Sequence, residues 1–80
     1  SAACIAGTRI RVMDVVAQRD LAGRTPEEIV TVWQGVTLSD VYAALSYALD
    51  HPDEIAADFE VHRQAAEYGK TQPSLLRDAL

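Results

Sequence analysis

The sequence of 80 residues contains one cysteine and has no long run of apolar residues. A single cysteine, Cys4, can form neither an internal disulfide nor a cysteine-based zinc site, which is typical of proteins in a reducing compartment. The longest apolar stretches run for only a few residues, and no basic segment followed by an apolar one opens the chain. The sequence therefore predicts a cytoplasmic location, without a membrane span or a signal peptide.

Positive charge is absent from the middle of the chain. Between Thr25 and His62 there is no lysine or arginine, whereas eight residues are acidic: Glu27, Glu28, Asp40, Asp50, Asp53, Glu54, Asp58 and Glu60. The first 24 residues hold four arginines and two aspartates, a net charge of +2 in a chain whose net charge is −5. Candidates for contacts with phosphate groups are therefore expected in the N-terminal part, because cations supply most of the sequence-independent affinity for nucleic acid.

Residues with the spacing of a catalytic or metal site are also missing. The two histidines, His51 and His62, are eleven positions apart, and no spacing relates them to Cys4. No serine elbow, phosphate-binding loop or His-Glu-x-x-His pattern occurs. We expect a protein that binds other macromolecules, with no enzymatic activity, no metal and no cofactor.

The composition predicts a folded chain, because 49% of the residues are hydrophobic and 24% are charged. A domain of this size buries roughly 60% of the surface that its unfolded chain exposes, so marginal stability and self-association are expected. Residues 1–69 are predicted to form the domain, and residues 70–80 an amphipathic tail after Gly69.

Hydrophobic periodicity predicts a mainly helical fold that begins with one short strand. From Thr8 to Val12 apolar and polar residues alternate, so that Arg9 and Arg11 would project from the same side of a strand. Four helical segments follow, beginning near Val12, Pro26, Leu38 and Pro52. Their expected core residues are Met13, Val16, Ala17, Leu21, Ile29, Val30, Trp33, Leu38, Val41, Ala44, Leu45, Ala48, Ile55, Phe59, His62 and Ala66.

Start and stop signals separate these helices. Thr25 with Glu28, and Thr37 with Asp40, have the spacing of capping boxes. The glycines Gly23, Gly35 and Gly69 have the position of helix ends. A tight turn that contains Gly35 would join the second and third helices, as in a helix-turn-helix. The predicted fold is a short N-terminal β-strand followed by a helix-turn-helix bundle of the homeodomain-like or winged-helix-like kind.

The segment from Cys4 to Val12, followed by Asp14-Val15-Val16, resembles the opening motif of the VapB-like antitoxin family catalogued as domain of unknown function 433. The similarity continues through Gly23, Pro26-Glu27-Glu28-Ile29, Thr37-Leu38, Asp40-Val41 and Ala44-Leu45 with Tyr47, and fades near Ile55. Arg11 stands where members usually have proline, and Trp33-Gln34 replaces a common Tyr-Pro pair.

The resemblance implies a small helix-turn-helix protein, often encoded beside a nuclease-like toxin of the PIN type, with toxin neutralisation and DNA binding as its roles. Members usually carry further residues before the motif, which would form an additional strand. The strand partner would then be absent here or supplied by a second subunit, and the second case implies a homodimer through the N-terminal strand.

The residues predicted to bind DNA or the toxin are Arg9, Arg11, Arg19 and Arg24. The outward face of the third helix is small, polar and acidic, and a phosphate backbone would repel it. The arginines would also suit the acidic metal centre expected in a PIN-type toxin. Two structural alternatives are that Arg9 and Arg11 protect an exposed strand edge from aggregation, or pair with the chain's own carboxylates.

A partner interface is predicted at two further places. Tyr42 and Tyr47 fall on the margins of the apolar face of the third helix, whereas Trp33 and Phe59 are expected in the core. The tail residues Leu75, Leu76 and Leu80 form an amphipathic stripe, which would occupy a groove on a partner or pack on this domain's own core.

The leading hypothesis is an antitoxin-like protein of a type II toxin-antitoxin system that neutralises a PIN-type nuclease toxin and binds operator DNA as a dimer. The alternative is a dimerisation or adaptor module in which the helix-turn-helix is architecture alone, without direct DNA binding.

Overall fold

Four helices make up most of residues 2–71, the part of the protein that the structure describes. The computed structural model describes the backbone of residues 2–71 and the side chains of residues 2–67. The helices are α1 (Val12–Asp20), α2 (Pro26–Ile29), α3 (Leu38–Asp50) and α4 (Pro52–Thr71). The predicted mainly helical fold is confirmed. None of the helices in the described part is long and apolar enough to cross a membrane.

The predicted N-terminal strand is wrong, because the chain reverses direction there. Gly7 has φ +76°, in the left-handed region, and turns the chain back on itself. Residues 3–5 then pair with residues 10–12, since the N–H of Ile5 donates to the carbonyl of Ile10 at 2.8 Å and that of Val12 to Ala3 at 2.8 Å. Only one antiparallel bridge, Cys4 with Arg11, fits before α1 begins at Val12, and residues 2–71 contain no strand.

This reversal also removes the reason for the predicted dimer through the N-terminal strand. The prediction required a second subunit to supply a partner for the Thr8–Val12 segment. In the structure, residues 3–5 of the same chain are that partner. Homodimerisation at this place therefore has no support from unpaired backbone groups.

Both predicted capping boxes are present. The N–H of Glu28 donates to Thr25 Oγ1 at 3.2 Å, and the N–H of Thr25 donates to Glu28 Oε1 at 2.8 Å. At the start of α3, the N–H of Asp40 donates to Thr37 Oγ1 at 3.1 Å, and the N–H of Thr37 to Asp40 Oδ2 at 3.0 Å. Each box satisfies two backbone donors that the first turn of a helix leaves free.

The connection between α2 and α3 is longer than the tight turn that was predicted. Helix α2 is four residues long, and residues 30–37 follow it as turns and extended chain. The N–H groups of Thr31 and Val32 donate to carbonyls three residues earlier, which tightens the chain and ends the α-helical pattern. Gly35, with φ +85°, then turns the chain toward α3.

The core lies where α1, α2 and α3 meet, with the first turn of α4 against it. Val15, Ile29 and Val41 are fully buried, one from each of the first three helices. The buried hydrophobic residues are Ile5, Val12, Met13, Val15, Val16, Ile29, Val36, Val41, Ala44, Leu45 and Ile55. Leu21, predicted in the core, is 80% exposed, because α1 ends at Asp20 before its periodicity reaches Leu21.

Helix α4 leaves the core after its first turns. Ile55 is buried and Phe59 half-buried, but His62 and Ala66, predicted on the same core stripe, are exposed. Every described side chain from Glu60 to Glu67 is exposed. The helix continues past Gly69 to Thr71, so the predicted end at Gly69 is wrong.

Candidate binding surfaces

Arg11, one of the four arginines predicted to bind DNA or a toxin, is held by an acceptor in its own chain. Its Nε donates to Asp14 Oδ2 at 3.1 Å and its second guanidinium nitrogen to Asp14 Oδ1 at 3.1 Å. The N–H of Arg11 also donates to Asp14 Oδ2, at 3.2 Å, which caps α1. The hydrogen bond to Asp14 raises the pKa of Arg11, and the Asp14 charge adds to this. Arg11 therefore supports the start of a helix.

Two more of these arginines have acceptors nearby. Arg19 Nε donates to Asp20 Oδ1 at 2.7 Å, and this hydrogen bond raises the pKa of Arg19 and lowers that of Asp20. Arg24 donates to Gln18 Oε1 at 2.5 Å. Arg9 is exposed, and it forms no ion pair with the described part of the chain. The predicted pair of Arg9 and Arg11 on one side of a strand is not formed, because the segment is a turn.

Helix α3 carries an exposed apolar stripe beside its buried face. Leu38, Tyr42 and Leu49 lie within about 40° of one another around a helix of about 3.6 residues per turn. Their exposed fractions are 39%, 50% and 76%. We call these three residues the α3 stripe. Burial of such side chains against a partner is favourable, so the stripe is a candidate contact surface for a protein.

The polar face of α3 lies next to this stripe and is acidic. It consists of Ser39, Asp40, Ala43, Ser46 and Asp50. The hydroxyl of Tyr42 donates to Glu27 Oε2 at 3.4 Å, so a carboxylate of α2 also borders the stripe. Because no lysine or arginine occurs between Thr25 and His62, no cation from α2 or α3 balances these carboxylates.

Tyr47, the second tyrosine predicted at a partner interface, is turned toward α4. Its hydroxyl lies 2.7 Å from Glu54 Oε1 and 2.8 Å from Glu54 Oε2, and its ring stacks on His51 with centroids 4.2 Å apart. The hydrogen bond to Glu54 raises the pKa of Tyr47. Tyr47 thus joins α3 to α4, whereas Tyr42 is accessible to a partner.

An open groove of about 420 Å³ lies between the N-terminal segment, α1 and α4. It is lined by Ala2, Arg11, Met13, Asp58, Val61, His62 and Ala65. Asp58 is one of the lining residues, and its Oδ2 is buried with no hydrogen-bond partner among the described residues. Sequence reasoning did not single out Asp58, because a carboxylate inside an acidic stretch carries no signal of its own.

Neither of these surfaces has the donor set of a metal site. In residues 2–71 no group of three or more His, Cys, Asp or Glu side chains could hold a metal ion. The predicted tail contacts Leu75, Leu76 and Leu80 lie outside the described residues.

Comparison with protein families identifies the first part of the chain. A family model described as Protein of unknown function (DUF433) matches residues 2–48. The chain belongs to this family. The match spans the N-terminal turn, α1, α2 and most of α3 of this DUF433 protein, and α4 follows it. No curated protein and no solved structure was found to match.

The sequence of this DUF433 protein contains the periodicity of the α3 stripe, but the same periodicity predicted Leu38 in the core. Leu38 was assigned to the core because it lies at helical spacing from Val41 and Leu45. Leu49 also lies at helical spacing from Leu38 and Tyr42, but it is 76% exposed. The stripe could be found from periodicity, and its exposure only from packing.

Proposed function

We propose that this protein is an antitoxin-like binding protein, located in the cytoplasm, that neutralises a PIN-type nuclease toxin by contacting it through the α3 stripe. The toxin part of the proposal is supported by the resemblance of the opening motif to VapB-like antitoxins. The choice of a protein partner is supported by the surface of α3. Binding is the activity of the protein, and no catalytic step is proposed.

The observation that carries this proposal is the combination of exposed apolar side chains and acidic neighbours on α3. In the helix-turn-helix arrangement that we propose for α2 and α3, α3 is the helix that would enter the major groove of DNA. A helix in that position needs donors for base edges and cations for phosphates. The α3 surface offers Leu49, Tyr42 and carboxylates, which suit an apolar protein surface edged by basic groups.

Operator binding is the second candidate function, and Arg9 and Arg24 are the residues that would contact DNA. Arg9 is exposed without an ion pair in the described part of the chain, whereas Arg24 donates to the neutral Gln18 and its charge also acts on Glu28. One unpaired and one partly engaged cation offer few phosphate contacts, and each phosphate contact contributes about one unit to the salt dependence of binding. We therefore expect any DNA binding by the chain to be weak, unless several copies act together.

The test is co-expression of the chain with the PIN-type protein encoded beside it, followed by isothermal titration of the purified pair. The variant L49S combined with Y42S removes most of the α3 stripe. We expect it to weaken the complex by at least about 10-fold, because loss of anchors at the centre of an interface costs more than about 1.4 kcal/mol. The matched control is L21S, which changes an equally exposed leucine at the end of α1.

Three results would contradict the proposal. One is the absence of a complex with the toxin while the chain dimerises, which favours the adaptor alternative. A second is an equal loss of toxin affinity in L21S and in the stripe variant. The third is salt-dependent DNA binding that Arg9→Ala weakens while the stripe variant leaves toxin binding intact, which favours a DNA-binding role for the chain.

A further inference from the structure

The groove between α1 and α4 has apolar walls and one carboxylate with unused hydrogen-bonding capacity. Met13, Val61 and Ala65 supply the apolar walls. Its volume of about 420 Å³ exceeds what a bridging water occupies, so the groove has room for a long side chain. Asp58 and His62, one turn apart on α4, line the same groove.

Asp58 Oδ2 lacks a hydrogen-bond donor within the described part of the chain. The atom is buried, and no donor among the described residues reaches it. An acceptor kept from water without a hydrogen bond costs free energy, and the cost is larger for a charged group. The torsion that rotates a carboxylate about its Cβ–Cγ bond is soft, so a donor that enters the groove can reach this oxygen.

The charge in the groove favours a guest with one positive charge. Arg11 is the only lysine or arginine among the described lining residues; Asp14 accepts two hydrogen bonds from its guanidinium, and the charge of Asp58 also acts on it. The formal charges of Arg11, Asp14 and Asp58 sum to −1.

We propose that this groove binds an arginine side chain of a partner protein. The aliphatic stem lies against Met13, Val61 and Ala65, and the guanidinium donates to Asp58. A planar guanidinium is more weakly hydrated than an ammonium and forms directional, charge-assisted hydrogen bonds, so it loses less on entering an apolar groove than lysine does. A metal ion is a poor occupant, because the described residues offer no set of three ligands here.

The proposal deepens the protein-binding function proposed above, and it rests on that function only for the owner of the arginine. The α3 stripe is on another helix from Asp58, so the two contacts can be tested separately. Toxin binding that the stripe variant leaves intact, with arginine still bound in the groove, would overturn the assigned function and leave the groove assignment standing. The reverse result would overturn the groove assignment alone.

The experiment is a nuclear magnetic resonance titration of the full chain with acetyl-arginine amide at low salt. The matched probe is acetyl-citrulline amide, which has the same shape and an uncharged urea head. We expect saturable shifts of the backbone amides of Met13, Asp58, His62 and Ala65 with the arginine probe. The citrulline probe should bind at least about 10-fold more weakly, because a charge-assisted hydrogen bond is roughly twice as strong as a neutral one.

Two variants separate a specific contact from general attraction to an acidic protein. Asp58→Asn keeps the size of the side chain and should reduce arginine binding to the level of citrulline. Asp53→Asn makes the same change of charge on an exposed residue at the start of α4 and should leave binding unchanged. Circular dichroism checks that both variants remain helical.

The proposal is overturned if the two probes bind equally, if Asp53→Asn weakens binding as much as Asp58→Asn, or if no saturable shift occurs in the groove. If the same amides shift when the protein concentration is raised without a probe, the occupant is an arginine of a second copy, and the assignment to a partner protein is overturned. An equal response to acetyl-lysine amide would contradict the preference for a guanidinium.

Discussion

The N-terminal region (residues 2–24) and the α2–α3 region (residues 25–50) differ in what they leave for a partner. In the N-terminal region, Arg11, Arg19 and Arg24 all donate to acceptors of the same region. In the α2–α3 region, Glu28 and Asp40 cap helices, while Leu49 and Tyr42 remain exposed. The charge of a segment therefore does not tell how much of it is free to bind.

The difference shows why the basic segment was the natural choice from sequence and the α2–α3 region is the better candidate from structure. A guanidinium that already has a carboxylate partner must break that contact before it binds a phosphate. An exposed leucine has no such contact to lose, and its burial is favourable at once. Variants of the two regions can test whether the N-terminal arginines stabilise the fold while the α3 stripe is free to bind.

The largest loss of stability should distinguish a buried leucine of α3 from an exposed one. Leu45, which is 8% exposed, packs in the core, and Leu45→Ala should lower the free energy of unfolding by about 2–5 kcal/mol. The whole domain is expected to have about 4–12 kcal/mol for its 80 residues, so a loss of this size would unfold a domain at the low end of that range. Urea denaturation followed by circular dichroism measures the loss.

Leu49→Ala is the control for that experiment. Leu49 is 76% exposed, so its truncation should change the free energy of unfolding by less than about 0.5 kcal/mol. A loss near that of Leu45→Ala would mean that Leu49 has a structural role and would remove the α3 stripe as a binding surface.

The helix starts were predictable from contacts between residues close in sequence, whereas the path of the N-terminal segment before α1 was not. Thr25 with Glu28 and Thr37 with Asp40 mark helix starts through bonds between residues three apart, and such contacts can be read from spacing. The N-terminal strand was wrong because the alternation from Thr8 to Val12 was given more weight than Gly7, which turns the chain. Over so short a segment, alternation between apolar and polar residues is weak evidence for a strand.

The candidate surfaces were less predictable, because they depend on which residues the tertiary structure covers. Tyr42 was placed correctly at an exposed margin, but the same argument did not show that Tyr47 bonds to Glu54 across to α4. The groove at Asp58 depends on the approach of α4 to α1. No residue pattern within either helix contains that information.

A smaller effect should distinguish Arg11 from Arg9. Arg11→Ala removes the two guanidinium hydrogen bonds to Asp14 and keeps the one from the backbone N–H, and because the Arg11 side chain is 39% exposed, we expect a cost of only about 0.2–1 kcal/mol. Arg9→Ala, at an exposed position of the turn, should be neutral within about 0.5 kcal/mol. Urea denaturation of both variants checks the order. Equal costs for the two would mean that the Arg11–Asp14 ion pair does not stabilise the start of α1.

The smallest effect concerns acid and the α2 capping box. The backbone hydrogen bond from Thr25 lowers the pKa of Glu28 below its ordinary value of 4.5, and the Thr25 hydroxyl and the Arg24 charge lower it further. The folded state therefore binds this proton less readily than the unfolded state, so the stabilisation is complete above pH 4.5 and is lost as the pH falls through the lower pKa of the folded state.

Glu28→Gln keeps an acceptor for the Thr25 N–H and removes only the charge. Urea denaturation at several pH values should show wild type more stable than Glu28→Gln at neutral pH, with the difference shrinking in acid. A difference that grows on acidification would mean that the carboxylate destabilises the start of α2, and the α2–α3 region would then hold a strained charge in place of a cap.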